Sequence, residues 1–355
     1  MKSKKKYLFS IIFFVILLIL TFYLLFKNND INQVFSSLKN ISYEYIFIGI
    51  LLIFNYLFTE SIYIKLILKS LNKKIHLWQG FVYSCIEFYF SAITPSSTGG
   101  QPAQAYYMSK DGIPFTKSSV TLLLNTITFK FVLIIMGLFA IIFYPSLIFN
   151  NSTIFSIIFI FGIIVNIIMI VVCLMLMFSK RWIKNIAMFC INLGTKFHII
   201  KDKEEKIESF HKHLSDYQKS AKYIRDNLSL SVKVCLITIV QRLSMFSIAF
   251  IVYKAFGLSG YSYIELVVIQ IALALAIDSL PLPGGIGASE VMLLAIYNRI
   301  FGESVAMPAM LITRGLGYYL CLIISSIVVL ANHLRITLKK SKKIKLTEEK
   351  NDRLL

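Results

Sequence analysis

Three basic side chains sit where charge is expensive. Lys130 and Arg242 lie near the centres of long apolar stretches, and Arg314 lies within a third. A charge at the middle of a membrane span costs about 2.5–3.5 kcal/mol on an insertion scale, so each must be paired, hydrated or put to use. Four carboxylates, Glu60, Glu87, Asp278 and Glu290, occur in or beside the same stretches and can neutralise them as buried pairs. The other use is recognition. A guanidinium can fork onto two oxygens of a phosphate, and a carboxylate can face a cationic headgroup or carry a coupled proton. Both uses are compatible in one site.

Two Pro/Gly-rich segments supply the second candidate chemistry. The first reads Thr94-Pro95-Ser96-Ser97-Thr98-Gly99-Gly100-Gln101-Pro102-Ala103, the second Pro281-Leu282-Pro283-Gly284-Gly285-Ile286-Gly287-Ala288-Ser289-Glu290. A helix broken inside a membrane leaves N–H and C=O groups that only protein or a wet cavity can satisfy. Where the helix restarts, free N–H groups and the dipole favour an anion. Pro95, Gly99 and Gly100 with Pro283, Gly284, Gly285 and Gly287 are therefore candidate binding positions, and Ser96, Ser97, Thr98 and Ser289 add hydroxyls. No G-K-[ST] follows either segment, so neither is a P-loop.

Catalytic and metal signals are weak. There is no G-x-S-x-G and no H-E-x-x-H. His211 and His213 are two apart and do not share a helix face, and His76 beside Trp78 reads as interfacial. Cys85, Cys173, Cys190, Cys235 and Cys321 are scattered singly. No catalytic residue, cofactor or metal is expected.

The elements that position these residues follow from composition. The chain has 355 residues, 57% hydrophobic and 15% charged, with a mean hydropathy of +0.73. A soluble protein carries roughly 25% charged residues, so an integral membrane protein remains. The net charge of +19 sits beside apolar runs and reads as contacts to anionic lipid headgroups, with no nucleic acid bound directly. The expected fold is an all-α polytopic membrane protein. Six full spans are expected near 7–26, 43–68, 118–143, 152–178, 229–256 and 306–332. Two Pro/Gly-broken re-entrant hairpins, or pairs of short spans, are expected at 78–108 and 263–300. The apolar run at 7–26 is long for a signal peptide and meets Lys27-Asn28-Asn29-Asp30 with no small-residue cleavage site, so it reads as a retained span.

Lysines at 2, 4, 5 and 6, the basic 65–74 and 180–184 segments, and the tail from Arg335 to Lys345 put both termini in the cytoplasm. This divides the chain into a first membrane half (1–180), a cytoplasmic amphipathic and charged connector (181–228), a second half (229–333) and a basic tail (334–355). Trp182 reads as an interfacial anchor of a short amphipathic helix. The halves resemble each other: each has a broken segment with Pro, Gly-Gly and a small residue, followed by a basic residue in the next span. Lys130 follows Gly100, and Arg314 follows Gly285. An inverted repeat with two broken elements near the bilayer middle is the pattern of secondary transporters.

At Pro95…Gly99-Gly100-Gln101, at the long Pro-x-Pro-Gly-Gly-x-Gly-x-x-Glu motif from Pro281 to Glu290, and at Thr313-Arg314, the chain resembles the lysylphosphatidylglycerol synthase transmembrane-region family. This is the flippase-like membrane portion of the bacterial multiple peptide resistance factor. Gln101 stands where relatives often have an acidic residue, and Gln104 or Ala105 where they often have Arg, so a charged headgroup contact does not carry over to the first motif.

The resemblance implies a multi-pass bacterial inner-membrane protein that translocates phosphatidylglycerol or lysyl-phosphatidylglycerol, linked to lipid metabolism and cationic peptide resistance. Its partners would be an anionic phospholipid and a separate aminoacyl-lipid synthase. Full-length relatives carry a lysyl-transferring cytosolic domain that is not expected here. The alternatives are a phosphatidylglycerol lysyltransferase and a partner subunit of such a synthase.

Overall fold

The computed structural model describes residues 41–94, 97–150, 153–196, 202–278, 280, 285 and 287–352. The expected span at 7–26, and Pro95, Ser96, Pro281 to Gly284 and Ile286, lie outside these residues. Among those described, no strand occurs.

Helix α1 (Tyr43–Ser70) and helix α2 (Leu77–Ala92) are followed by α3 (Gly100–Lys110) and α4 (Phe115–Phe143). A short α5 (Pro145–Phe149) leads to α6 (Thr153–Phe178), and the connector forms α7 (Lys180–Lys196) and α8 (Lys203–Asp226). The second set comprises α9 (Leu228–Ala255), α10 (Tyr263–Asp278), α11 (Ala288–Phe301), α12 (Glu303–Arg314), a π-helical turn (Gly315–Leu320) and α13 (Cys321–Asp352). Among the described residues, five stretches are long and apolar enough to cross a membrane: 43–70, 115–143, 153–178, 228–255 and 303–336.

The two sets share a plan down to their stop signals. Helices α1 and α9 are both 28 residues long, and α2 and α10 are both 16. Helix α1 ends on Asn72 at φ 57, with Asn72 N donating to Lys69 O and Lys73 N to Leu68 O. Helix α9 ends on Gly257 at φ 73, with Gly257 N donating to Lys254 O and Leu258 N to Tyr253 O. Both are left-handed caps that close the last open carbonyls and turn the chain sharply. Each first arm then stops at a Pro/Gly segment.

Packing interleaves the sets. Helices α1 and α9 lie along each other, α10 lies against α4 and α6, and α13 lies against α2. Each broken element is thus held by a long helix of the other set. A core of Ile53, Leu57, Leu133, Phe159, Val252 and Leu275 fills the centre, and a smaller one around Tyr63, Tyr83, Met108 and Leu230 joins α2 and α3 to α8 and α9. Gly162 of α6 sits against the backbone of Leu275 in α10, where a Cβ would come within 2.7 Å of the carbonyl carbon. Ile157, Phe161, Ile164 and Ile168 point outward from α6; with no water to face in hydrocarbon, such a surface suits lipid.

The last span departs from the expected single rod at 306–332. It is interrupted at Gly315–Leu320 by a turn of wider winding, and its helix continues beyond the membrane stretch to Asp352. Glycines 315 and 317 leave that turn uncrowded.

Candidate functional site

A cavity of about 300 Å³ lies where the two broken elements meet. Ser97 reaches it from the first break and Gly285 and Ser289 from the second, while Arg242, Asp278 and Arg314 line it from α9, α10 and α12. Two of the three basic side chains singled out by the sequence therefore wall one chamber. Lys130 joins its edge through Asp278.

Arg242 is 7% exposed. Its guanidinium lies over the ring of Phe129 at 3.9 Å and over that of Tyr56 at 5.2 Å, and Nη2 donates to the Tyr56 hydroxyl at 3.2 Å. No carboxylate lies within ion-pair distance among the described residues, and its Nε is buried with no partner. Cation–π contacts of desolvated guanidinium groups are worth about 2 kcal/mol, which offsets part of the burial. Glu60 and Glu87 lie within coulombic reach.

Arg314 is held differently. Its Nε donates to Glu290 Oε1 at 2.8 Å, and its plane lies 4.4 Å from the Tyr318 ring. Its Nη2 is enclosed and has no partner among the described residues. Glu290, 2% exposed, spends its other oxygen on Gly287 N and Ser289 Oγ, both at 2.8 Å.

At the second helix start, where free N–H groups are expected to suit an anion, one of them, Gly287 N, is engaged from within the chain. Glu290 is the third residue of α11 and caps its N-terminus from within, as carboxylates there commonly do. Gly287 adopts φ 88, a left-handed conformation that side chains resist.

At the first break one N–H is likewise taken from within the chain. Gly99 N donates to Thr94 Oγ1 at 2.9 Å, and a Cβ on Gly100 would come within 2.7 Å of the Glu87 carbonyl oxygen. Glycine at 100 lets α3 cross α2 closely. Gln101 then donates to Thr126 of α4. That brace spans 25 residues, and the Glu290–Arg314 brace spans 24. The two sets fasten their restarted helix to the next long helix at the same place, one with a neutral pair and one with charges.

The remaining carboxylates divide. Asp278 pairs with Lys130 across the two sets. Glu60, 4% exposed and away from the cavity wall, accepts from Ser84 Oγ at 3.0 Å and Gln104 Nε2 at 3.4 Å. Glu87 accepts from Ser91 Oγ at 2.9 Å. Pro95, Pro283 and Gly284 lie outside the described residues.

Sequence reasoning passed over Tyr56, Phe129 and Gln270. Gln270 lines the cavity and donates to Tyr297 Oη at 3.3 Å. As a polar residue within Val267-Val268-Ile269-Gln270-Ile271-Ala272 it carried a readable signal; aromatic rings in an aromatic-rich chain carried none. Among the described residues no cluster of His, Cys, Asp and Glu suits a metal.

Set beside known proteins, residues 8–325 match the family described as the lysylphosphatidylglycerol synthase TM region. The chain belongs to that family, which makes it a membrane protein with a lipid-related role. No curated protein and no solved structure matches it.

Proposed function

We propose that the chain moves an anionic phospholipid, phosphatidylglycerol or its lysyl ester, between the leaflets of the bacterial cell membrane. In this reading the headgroup phosphate binds in the chamber between the two helix sets. The observation that carries it is the pair Arg242, buried, and Arg314, half-buried, on one cavity wall, each with an enclosed N–H that no atom of the described residues accepts: Nε of Arg242 and Nη2 of Arg314. A buried donor left unpaired costs roughly 1–3 kcal/mol. A phosphate oxygen accepting from both arginines would recover that cost through charge-assisted bonds. Hydroxyls of Ser97 and Ser289 stand beside them.

The matched lengths, caps and braces of the two sets support reading them as repeats of opposite orientation. Rocking of one set against the other would then turn the chamber from one leaflet to the other. Both termini would lie in the cytoplasm. Phosphate contact comes chiefly from side chains in this scheme, since Gly99 N and Gly287 N are already engaged by Thr94 and Glu290.

The test is a leaflet-resolved assay with fluorescent phosphatidylglycerol in vesicles containing the purified protein. Arg242→Ala with Arg314→Ala is expected to lower the rate at least tenfold, the size of losing one or two charge-assisted bonds of ~1.5–3 kcal/mol each. An unchanged rate in the folded double variant removes both residues from the mechanism.

A further inference from the structure

Beyond the central chamber, a second hollow of about 650 Å³ lies under the connector. We propose that it is a second phospholipid site, taking an acyl chain of an anionic lipid whose headgroup rests on the basic edge of α7.

The groove is built by elements from both the first set and the connector. Gln101 and Pro102 of α3 form one wall, Ser119 and Leu122 of α4 another, and Ile183 and Ile186 of α7 the roof. Tyr217 of α8 closes one end, its hydroxyl donating to the Leu176 carbonyl at the foot of α6 at 2.8 Å. Long apolar hollows of this size suit a hydrocarbon chain better than water, which needs two or more polar partners for each molecule.

Helix α7 identifies the occupant. Its residues 183, 186 and 187 recur at helical spacing and face the groove. Trp182, Phe189 and Leu193 are exposed on the same short helix, and Lys180, Arg181 and Lys184 are exposed beside them. An amphipathic helix with aromatic residues and lysines lies in the plane of a lipid interface, apolar side down. A chain entering from that interface therefore brings its phosphate to the three basic side chains. The charge there selects an anionic headgroup over a zwitterionic one.

The groove and the central chamber share the first broken element and different stretches of α4. Gln101 belongs to the groove wall and grips Thr126, while Ser97, four residues earlier, belongs to the chamber. Binding in the groove stands independently of transport through the chamber. A lipid seated there would, however, press on the hairpin that the chamber uses.

Photo-crosslinking separates the two sites. The full chain is placed in phosphatidylcholine vesicles with a trace of phosphatidylglycerol bearing a diazirine on one acyl chain, and labelled peptides are mapped. Labelling at 101–123, 183–187 and 214–217 should exceed that on the lipid-facing 157–168 segment of α6. The phosphatidylcholine version of the probe should label the groove less. Lys180→Glu with Lys184→Glu should lower groove labelling by phosphatidylglycerol about fivefold per charge, the effect of a basic residue near an anionic lipid surface. Ala187→Trp and Ser119→Trp, which fill the groove from opposite walls, should each remove it, so one misfolded variant leaves the other to decide. Arg242→Ala with Arg314→Ala should leave groove labelling intact. Groove labelling no stronger than on α6, or equal for both headgroups, overturns the proposal. Loss of transport with groove labelling retained would count against neither this site nor its lipid.

Discussion

Lys130 and Asp278, 148 positions apart, meet as an ion pair that ties α4 of the first set to α10 of the second. Their side chains are 15% and 31% exposed, at the rim of the chamber formed by the two breaks. Either residue alone would be a stranded charge in apolar surroundings. Lys130→Met or Asp278→Leu is therefore expected to lower stability to unfolding in detergent, each by an amount on the order of 1–3 kcal/mol after allowing for partial exposure. The double variant should regain half or more of the loss. A double variant as unstable as the sum of the singles would show that the two do not act as a pair.

Glu290 carries three partners at once: Arg314, Gly287 N and Ser289. Removing it strands a guanidinium and a buried N–H together. Glu290→Ala should cost about 3–5 kcal/mol, as for a buried pair broken from one side. Glu290→Gln should cost clearly less, because an amide oxygen still accepts. Equal effects, measured by unfolding in detergent, would mean that charge and hydrogen bonding are not what the position supplies.

The two braces suggest an exchange. Gln101–Thr126 holds the first restarted helix where Glu290–Arg314 holds the second. Gln101→Glu alone should destabilise by roughly 1 kcal/mol, the cost of a half-buried charge with no cation beside it. Combining it with Thr126→Arg should restore at least half. A double variant that stays at the level of Gln101→Glu would show that the two positions are not equivalent.

Gly162 predicts a graded steric effect. A methyl group there meets the Leu275 backbone, which cannot swing aside as a side chain would. Gly162→Ala should cost about 1–3 kcal/mol and Gly162→Val more. Ile164→Ala, at a position 49% exposed, should change stability little. An equal response at 162 and 164 would argue against close packing of α6 on α10.

Much of this architecture was legible residue by residue. Runs such as Thr153 to Phe178 state their length and helicity outright, and the Pro/Gly segments announce both breaks within a few residues of where α2 and α10 stop. The amphipathic connector helix is visible in the alternation around Trp182. Partners were harder. Nothing local tells Lys130 that its carboxylate lies 148 positions away, nor that Arg242 rests on Phe129 and Tyr56 in place of an acid. Glu290 reads from the sequence as a charge partner for the buried basic residues; which of them it meets, and its added use as an internal cap on Gly287 at φ 88, are properties of three dimensions. The interruption at Gly315–Leu320 was hidden as well, since an apolar run gives the same hydropathy whether its winding is tight or wide.

That wider turn has a geometric result for anyone drawing a helical wheel through the last span. One surplus residue between Arg314 and Cys321 rotates everything after it by about 100° relative to everything before, one residue's share of a 3.6-residue turn. The stripe that continues the Arg314 side on such a diagram is therefore displaced by more than a quarter circle from the side it occupies in space. Cysteine-scanning or spin-label periodicity along 303–336 should break phase at 315–320, with two clean sinusoids that no single one can fit.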